Sequence, residues 1–107
     1  MTPEARYAAL VKRFIGERGV SHMTDGKGFG SSGQLKVKGR IFAMLVRGAL
    51  VVKLPRDRVE QLAGAGEGTH FDAGKGRPMR EWFVLSPTSP RSWPELAHEA
   101  FDFVQEG

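Results

Sequence analysis

The stretch from Gln34 to Pro55, QLKVKGRIFAMLVRGALVVKLP, decides the fold. Leu35 and Val37 alternate with polar residues, and two apolar runs rich in β-branched side chains follow, Ile41 to Val46 and Leu50 to Leu54. Such a pattern marks strands rather than a helix. Lys38-Gly39 and Arg47-Gly48 interrupt the runs, and short glycine-containing breaks of this kind close antiparallel hairpins. The reading is a three-stranded meander that Pro55 stops. Ile41 to Val46 and, further on, Trp82 to Leu85 are apolar at consecutive positions, so both faces of the sheet carry hydrophobic side chains there. Either helices cover both faces, or one face is left partly open for a second copy of the chain or another protein.

Working outward, Thr2-Pro3-Glu4 starts a helix, since threonine caps free amides and proline at the first helical position has no amide to satisfy. Tyr7, Leu10, Val11, Phe14 and Ile15 then recur at three- and four-residue spacing, which predicts an amphipathic helix ending near Gly19. Arg6, Lys12, Arg13 and Glu17 fall on its solvated side. Ser21 to Gly33 is rich in glycine and small polar residues and is expected to be an irregular loop, long enough to be functional or mobile. Downstream, Val59 and Leu62 within Arg56 to Ala63 predict a short helix that Gly64, Gly66 and Gly68 end. Thr69 to Asp72 and Glu81 to Leu85 read as strands joined by the loop Ala73 to Arg80. Ser92-Trp93-Pro94-Glu95 is a capping box, and Trp93, Leu96, Ala97, Ala100, Phe101 and Val104 form the stripe of the helix it opens. The expected order is α-β-β-β-α-β-β-α. That is an α+β fold, a two-layer α/β sandwich with a mostly antiparallel sheet, in one domain over residues 1–107.

Composition narrows the functional classes. The chain has 107 residues, 40% of them hydrophobic and 26% charged, in keeping with a folded globular domain. It contains no cysteine, which removes disulfides, thiolate metal sites and cysteine nucleophiles together. Met1 to Leu10 lacks a signal-peptide pattern and no apolar run approaches the ~20 residues needed to span a bilayer, so a cytoplasmic location without membrane association is expected. Sixteen basic against 12 acidic residues give a net charge of +4, which permits a polyanionic partner.

Several motifs invite a chemical reading that their context refuses. Gly28-Phe29-Gly30-Ser31-Ser32-Gly33 spells a dinucleotide-binding glycine pattern, but that fingerprint follows a strand and opens a helix, whereas here a strand follows it. His98 and Asp102, four apart on the last helix, could share an ion, yet they lie opposite Leu96 and Ala100, are expected to face water, and have no third ligand. His22 and His70 have no visible nucleophile to serve, and Ser21, Ser31 and Ser32 read as loop formers. No cofactor, metal site or catalytic constellation is expected, and the chain reads as a non-enzyme.

Two sets of residues remain as candidate binding elements. Lys27, Phe29 and Gly30 in one glycine loop, with Lys75, Gly76, Arg77, Arg80 and Trp82 in and beside another, have the composition of a site for a phosphate, a carboxylate or an acidic protein segment. Lys36, Lys38, Arg40, Lys53, Arg56 and Arg58 could form a basic surface for nucleic acid, whose binding would depend steeply on salt. A protein partner or a homodimer is the leading expectation and nucleic acid the alternative.

The run Phe29-Gly30-Ser31-Ser32-Gly33-Gln34-Leu35-Lys36-Val37, then Lys38-Gly39-Arg40-Ile41-Phe42-Ala43-Met44-Leu45 and Val52-Lys53-Leu54-Pro55, resembles the TfoX N-terminal domain family. Gly74-Lys75-Gly76-Arg77-Pro78-Met79 with Glu81-Trp82, and the closing helix from Leu96 to Val104, fit its small stand-alone relatives. The resemblance covers most of the chain after the first helix, and its motifs are structural rather than catalytic. It implies a two-layer fold akin to YjbR-like and secretion-chaperone-like domains. TfoX proteins regulate competence genes and carry a second, C-terminal domain, which is not expected here, so the resemblance implies a regulatory domain without that specific role.

Overall fold

The computed structural model describes residues 2–17, 19–23, 34–46, 48–71, 79–86, 89 and 91–106, with only the backbone described for 21–23 and 79–80. Three helices and six strands follow in the order α1 (Pro3–Phe14), β1 (Val20–Met23), β2 (Gln34–Val37), β3 (Arg40–Val46), β4 (Ala49–Lys53), α2 (Arg56–Gly64), β5 (Gly68–Phe71), β6 (Met79–Leu85) and α3 (Trp93–Glu106). The strands form one antiparallel sheet, ordered β1-β2-β3-β4-β6-β5. The expected α+β architecture is therefore present, with the predicted helices and meander. The difference is β1, an edge strand formed by residues expected to begin the irregular loop.

Local chemistry explains most boundaries. Thr2 Oγ1 accepts the Ala5 amide at 3.1 Å, and Pro3 opens α1. The helix stops at Phe14, short of Gly19, and Ile15 is left 48% exposed. Ser92 Oγ accepts the Glu95 amide at 3.4 Å, which is the serine half of the predicted capping box. Between β2 and β3, Lys38 and Gly39 have φ of 53° and 79°. Positive φ at both central residues is what a two-residue hairpin turn with the sheet's own twist requires.

Register assigns each strand residue to a face. One row across the sheet runs His22–Leu35–Ala43–Val52–Phe83–His70, and its neighbour includes Leu45 and Leu50. Leu35, Ala43, Val52, Phe83, Leu45 and Leu50 join one hydrophobic core together with Tyr7, Leu10 and Phe14 of α1, Val59 and Leu62 of α2, and the α3 stripe. All three helices therefore pack on this one face. A bulge places β2 residues Leu35 and Lys36 opposite Ala43 and Ile41, so that Phe42 has no partner on β2. The bulge turns Phe42 to the helix side beside Ala43, where its ring meets Phe14 at 5.4 Å and Phe101 at 5.5 Å. Tyr7 reaches the same place from α1, its hydroxyl donating to the Ala43 carbonyl at 3.4 Å. Burial pushes the Tyr7 phenol well above its ordinary pKa, so it remains a neutral donor.

Candidate interaction surface

The second face of the sheet is built from the alternate residues. Its central row runs Met23–Gln34–Met44–Val51–Val84–Thr69, every neighbour paired in register. To one side of it lie Val46 and Ala49, and to the other the pairs Lys36–Ile41 and Lys53–Trp82. No described helix packs on this face, as the membership of the core shows. Its middle is nevertheless closed: Met44 and Ala49 are 7% exposed and Val51 0%. Ile41, Val46, Trp82 and Val84 are half-buried and Thr69 is exposed. The consecutive apolar runs thus do fill two faces, with helices on only one. Ile15, the residue after α1, is the sole exposed large hydrophobic among the described residues.

The predicted basic surface divides when folded. Lys36 and Lys53 stand on the second face, and the Lys53 ammonium lies 6.0 Å from the centre of the Trp82 ring. Lys38, at the hairpin turn, instead donates to the Gln105 carbonyl of α3 at 3.1 Å. Arg56 pairs with Glu60 along α2 at 3.6 Å. Arg58 is committed inside the helix layer: its Nε and Nη2 bind the two Glu99 oxygens at 2.9 and 3.1 Å, and its Nη1 binds Gln61 at 2.6 Å. Arg40 is exposed at the start of β3. Of the proposed loop site, Trp82 is placed on the second face beside Lys53. Lys27, Phe29, Gly30, Lys75, Gly76 and Arg77 lie outside the described residues, and Arg80 is described only as backbone within β6.

Charge is segregated between the layers. Every described carboxylate belongs to a helix, to the turns at Glu17 and Glu67, or to Glu81, which alternates with Trp82 and so shares the helix side. The helix layer holds some of its charges in pairs. Besides Arg58–Glu99, Arg91 grips Glu67 through Nε at 2.5 Å and Nη2 at 2.7 Å, tying the approach to α3 onto the turn before β5. The Arg91 guanidinium holds the Glu67 carboxyl below its ordinary pKa. Neither Lys36 nor Lys53 has a described carboxylate partner.

The helix layer carries two further polar features. His98 and Asp102 approach at 3.3 Å and are 63% and 50% exposed, on the water side of α3 as their spacing implied. Among the described residues, no group of three or more His, Cys, Asp and Glu is placed to hold a metal ion. A shallow groove of about 390 Å³ runs between α3 and the start of α2, lined by Pro55, Arg58, Glu99, Asp102, Phe103 and Glu106. Sequence reasoning missed both this groove and the pairing of Ile41 with Lys36. The first depends on the packing of elements some 40 residues apart in the chain, as the Arg58–Glu99 separation of 41 shows. The second depends on the bulge at Phe42. No described helix is long and apolar enough to cross a membrane.

Comparison with known proteins adds no relative: no family model matches the chain, and neither a curated protein nor a solved structure matches it.

Proposed function

We propose that this chain is a non-enzymatic, cytoplasmic binding or regulatory domain that acts through protein contacts made by the second face of its sheet. The observation that carries this reading is the one-sided packing. Three helices share one face, while the other presents Ile41, Trp82 and Val84 half-buried beside two lysines that lack described acidic partners. Apolar surface rimmed by polar groups is the usual character of a protein interface. The resemblance to the TfoX N-terminal domain family points the same way, toward regulation rather than catalysis.

Photo-crosslinking tests the proposal. Benzoylphenylalanine in place of Trp82 is expected to capture a discrete protein, whereas the same group at Glu60, on the outside of α2, is not. The captured protein, once purified, should bind the unsubstituted chain and not I41E. Equal capture from both positions, or none from Trp82, would remove the reading.

A second reading is supported by the Lys53–Trp82 pair. A cation beside an aromatic ring is how single-stranded nucleic acid is held without sequence preference. Binding of a dT12 oligonucleotide at low ionic strength that fades with added salt would favour it.

A further inference from the structure

The proposed interface has a chemistry that selects among partners. We infer that the second face takes an extended, acidic polypeptide segment, its carboxylates meeting Lys36 and Lys53 and an apolar side chain lying between them over Ile41 and against Trp82. This rests on the protein-contact reading and goes beyond it by naming the partner's charge and form.

The argument begins with register. Lys36 is paired with Ile41 across β2 and β3, and Lys53 with Trp82 across β4 and β6. With neighbouring strands about 4.8 Å apart, the two lysine positions are roughly 10 Å apart across β3. An extended chain rises about 3.3 Å per residue and turns every second side chain to the same face, so carboxylates four residues apart, about 13 Å, reach both flexible lysines while the residue midway between them faces the sheet. The apolar side of the contact is present as well, since Ile41 and Trp82 are half-buried and retain surface to lose.

Charge then separates the alternatives. A second copy docking face to face in a two-fold dimer would set this surface against itself. Each copy would bring its lysines into the interface, and the surface supplies no described carboxylate to neutralise them. Nucleic acid wants a stripe of cations that follows the backbone, but Lys38, Arg56 and Arg58 are held by Gln105, Glu60 and Glu99, and Arg40, paired in register with the core residue Val37, falls on the helix side. Two remaining lysines would neutralise about two phosphates, a weak hold with a salt slope of roughly 0.7 for each on a single strand. Two carboxylates and an apolar residue match what the face offers.

Fluorescence anisotropy on the full chain tests this with three labelled probes: a 12-residue Asp-Leu peptide of three Asp-Ser-Leu-Ser repeats, which sets Asp and Leu on one face of an extended chain, its Lys-Leu counterpart, and dT12. The Asp-Leu peptide is expected to bind best, to weaken at least about tenfold in K36E/K53E, and to be unaffected by K12E on the exposed side of α1. The Lys-Leu peptide should gain where the acidic one loses. Failure of the Asp-Leu peptide to bind, equal binding to K36E/K53E, or tighter binding of dT12 each overturns the inference. Circular dichroism confirms that K36E/K53E is folded before its loss is counted. Crosslinking from Trp82 keeps the two claims apart. A protein captured equally by the native surface and by K36E/K53E refutes the acidic partner while the protein-contact reading stands, and a crosslinked dimer of the chain assigns the face to a second copy.

Discussion

The two faces of this sheet are made by the same strands and differ in almost everything that side chains do. On the helix side, Phe42, Val52, Phe83 and Leu50 are fully buried against three helices, and Arg58–Glu99 and Arg91–Glu67 are paired in the helix layer. On the other side the apolar residues grade from buried Val51 to half-buried Ile41 and Trp82, and the lysines have no described acid to meet. One face is finished as a core, with its energy in dispersion and area removed from water. The other keeps polar and apolar groups partly in contact with solvent.

Adjacent residues on β3 give the sharpest test of that contrast. Phe42 packs against Phe14 and Phe101, so F42A leaves a cavity beside these two rings as well as losing the buried area. It should cost about 3–5 kcal/mol, enough to lower the melting temperature by more than about 12 °C. I41A, one position earlier and on the opposite face, should cost only about 1 kcal/mol. Denaturant titration of both variants measures the difference, and equal losses would show that the second face is as much a core as the first.

A smaller version of the same contrast lies on β5. Gly68 pairs with Leu85 on the helix side, where an added Cβ would fall on the Val84 carbonyl oxygen and 2.6 Å from Phe83 Cζ. The Phe83 ring lies in the packed core, so it has little room to retreat and the backbone must move instead. G68A is expected to destabilise by about 1–3 kcal/mol, the usual cost of overpacking. T69A, next along the strand but exposed on the opposite face, should stay within about 0.5 kcal/mol of the parent. A neutral G68A would mean that β5 sits less tightly on β6 than its register indicates.

What the sequence could reveal follows the range of the interactions involved. Strand period, the Lys38-Gly39 turn, the Thr2 cap and the Ser92 cap are local, and each is visible in a few neighbouring letters. The edge strand β1 was hidden because Ser21 and His22 give it no apolar alternation; its pairing depends on a free edge of β2. Ile15 continues the α1 stripe on paper, yet the helix ends one residue before it and the side chain is exposed. The insertion of β6 between β4 and β5 and the choice of one face for all three helices are decided by contacts across the whole chain. The candidate surface was legible in the same measure. Lys36, Lys53 and Trp82 could be named as basic and aromatic candidates, but only the fold shows that Arg58 faces Glu99 while the lysines share a face with Trp82.

The smallest expected effect tests whether charges on the two sides behave as differently as their surroundings. Glu67 has its folded pKa lowered by Arg91, so its ionised form is favoured in the folded state. The sign of the linkage follows: this pair stabilises the fold above the carboxylate's unfolded pKa, and the contribution drains away as pH falls through the lower, folded value. R91A removes the partner and should therefore lower the melting temperature near neutral pH, with the gap to the parent narrowing steadily in acid. K36Q and K53Q remove charges with no described carboxylate beside them, so their melting curves should track the parent across the same range. Neutralising them takes no described ion pair from the fold. A gap for R91A that is constant with pH would mean that Arg91 acts by packing its side chain and not by holding Glu67 ionised. A pH-dependent gap for K36Q or K53Q would reveal an acidic neighbour on the second face, and the charge contrast on which the acidic-partner inference depends would be lost.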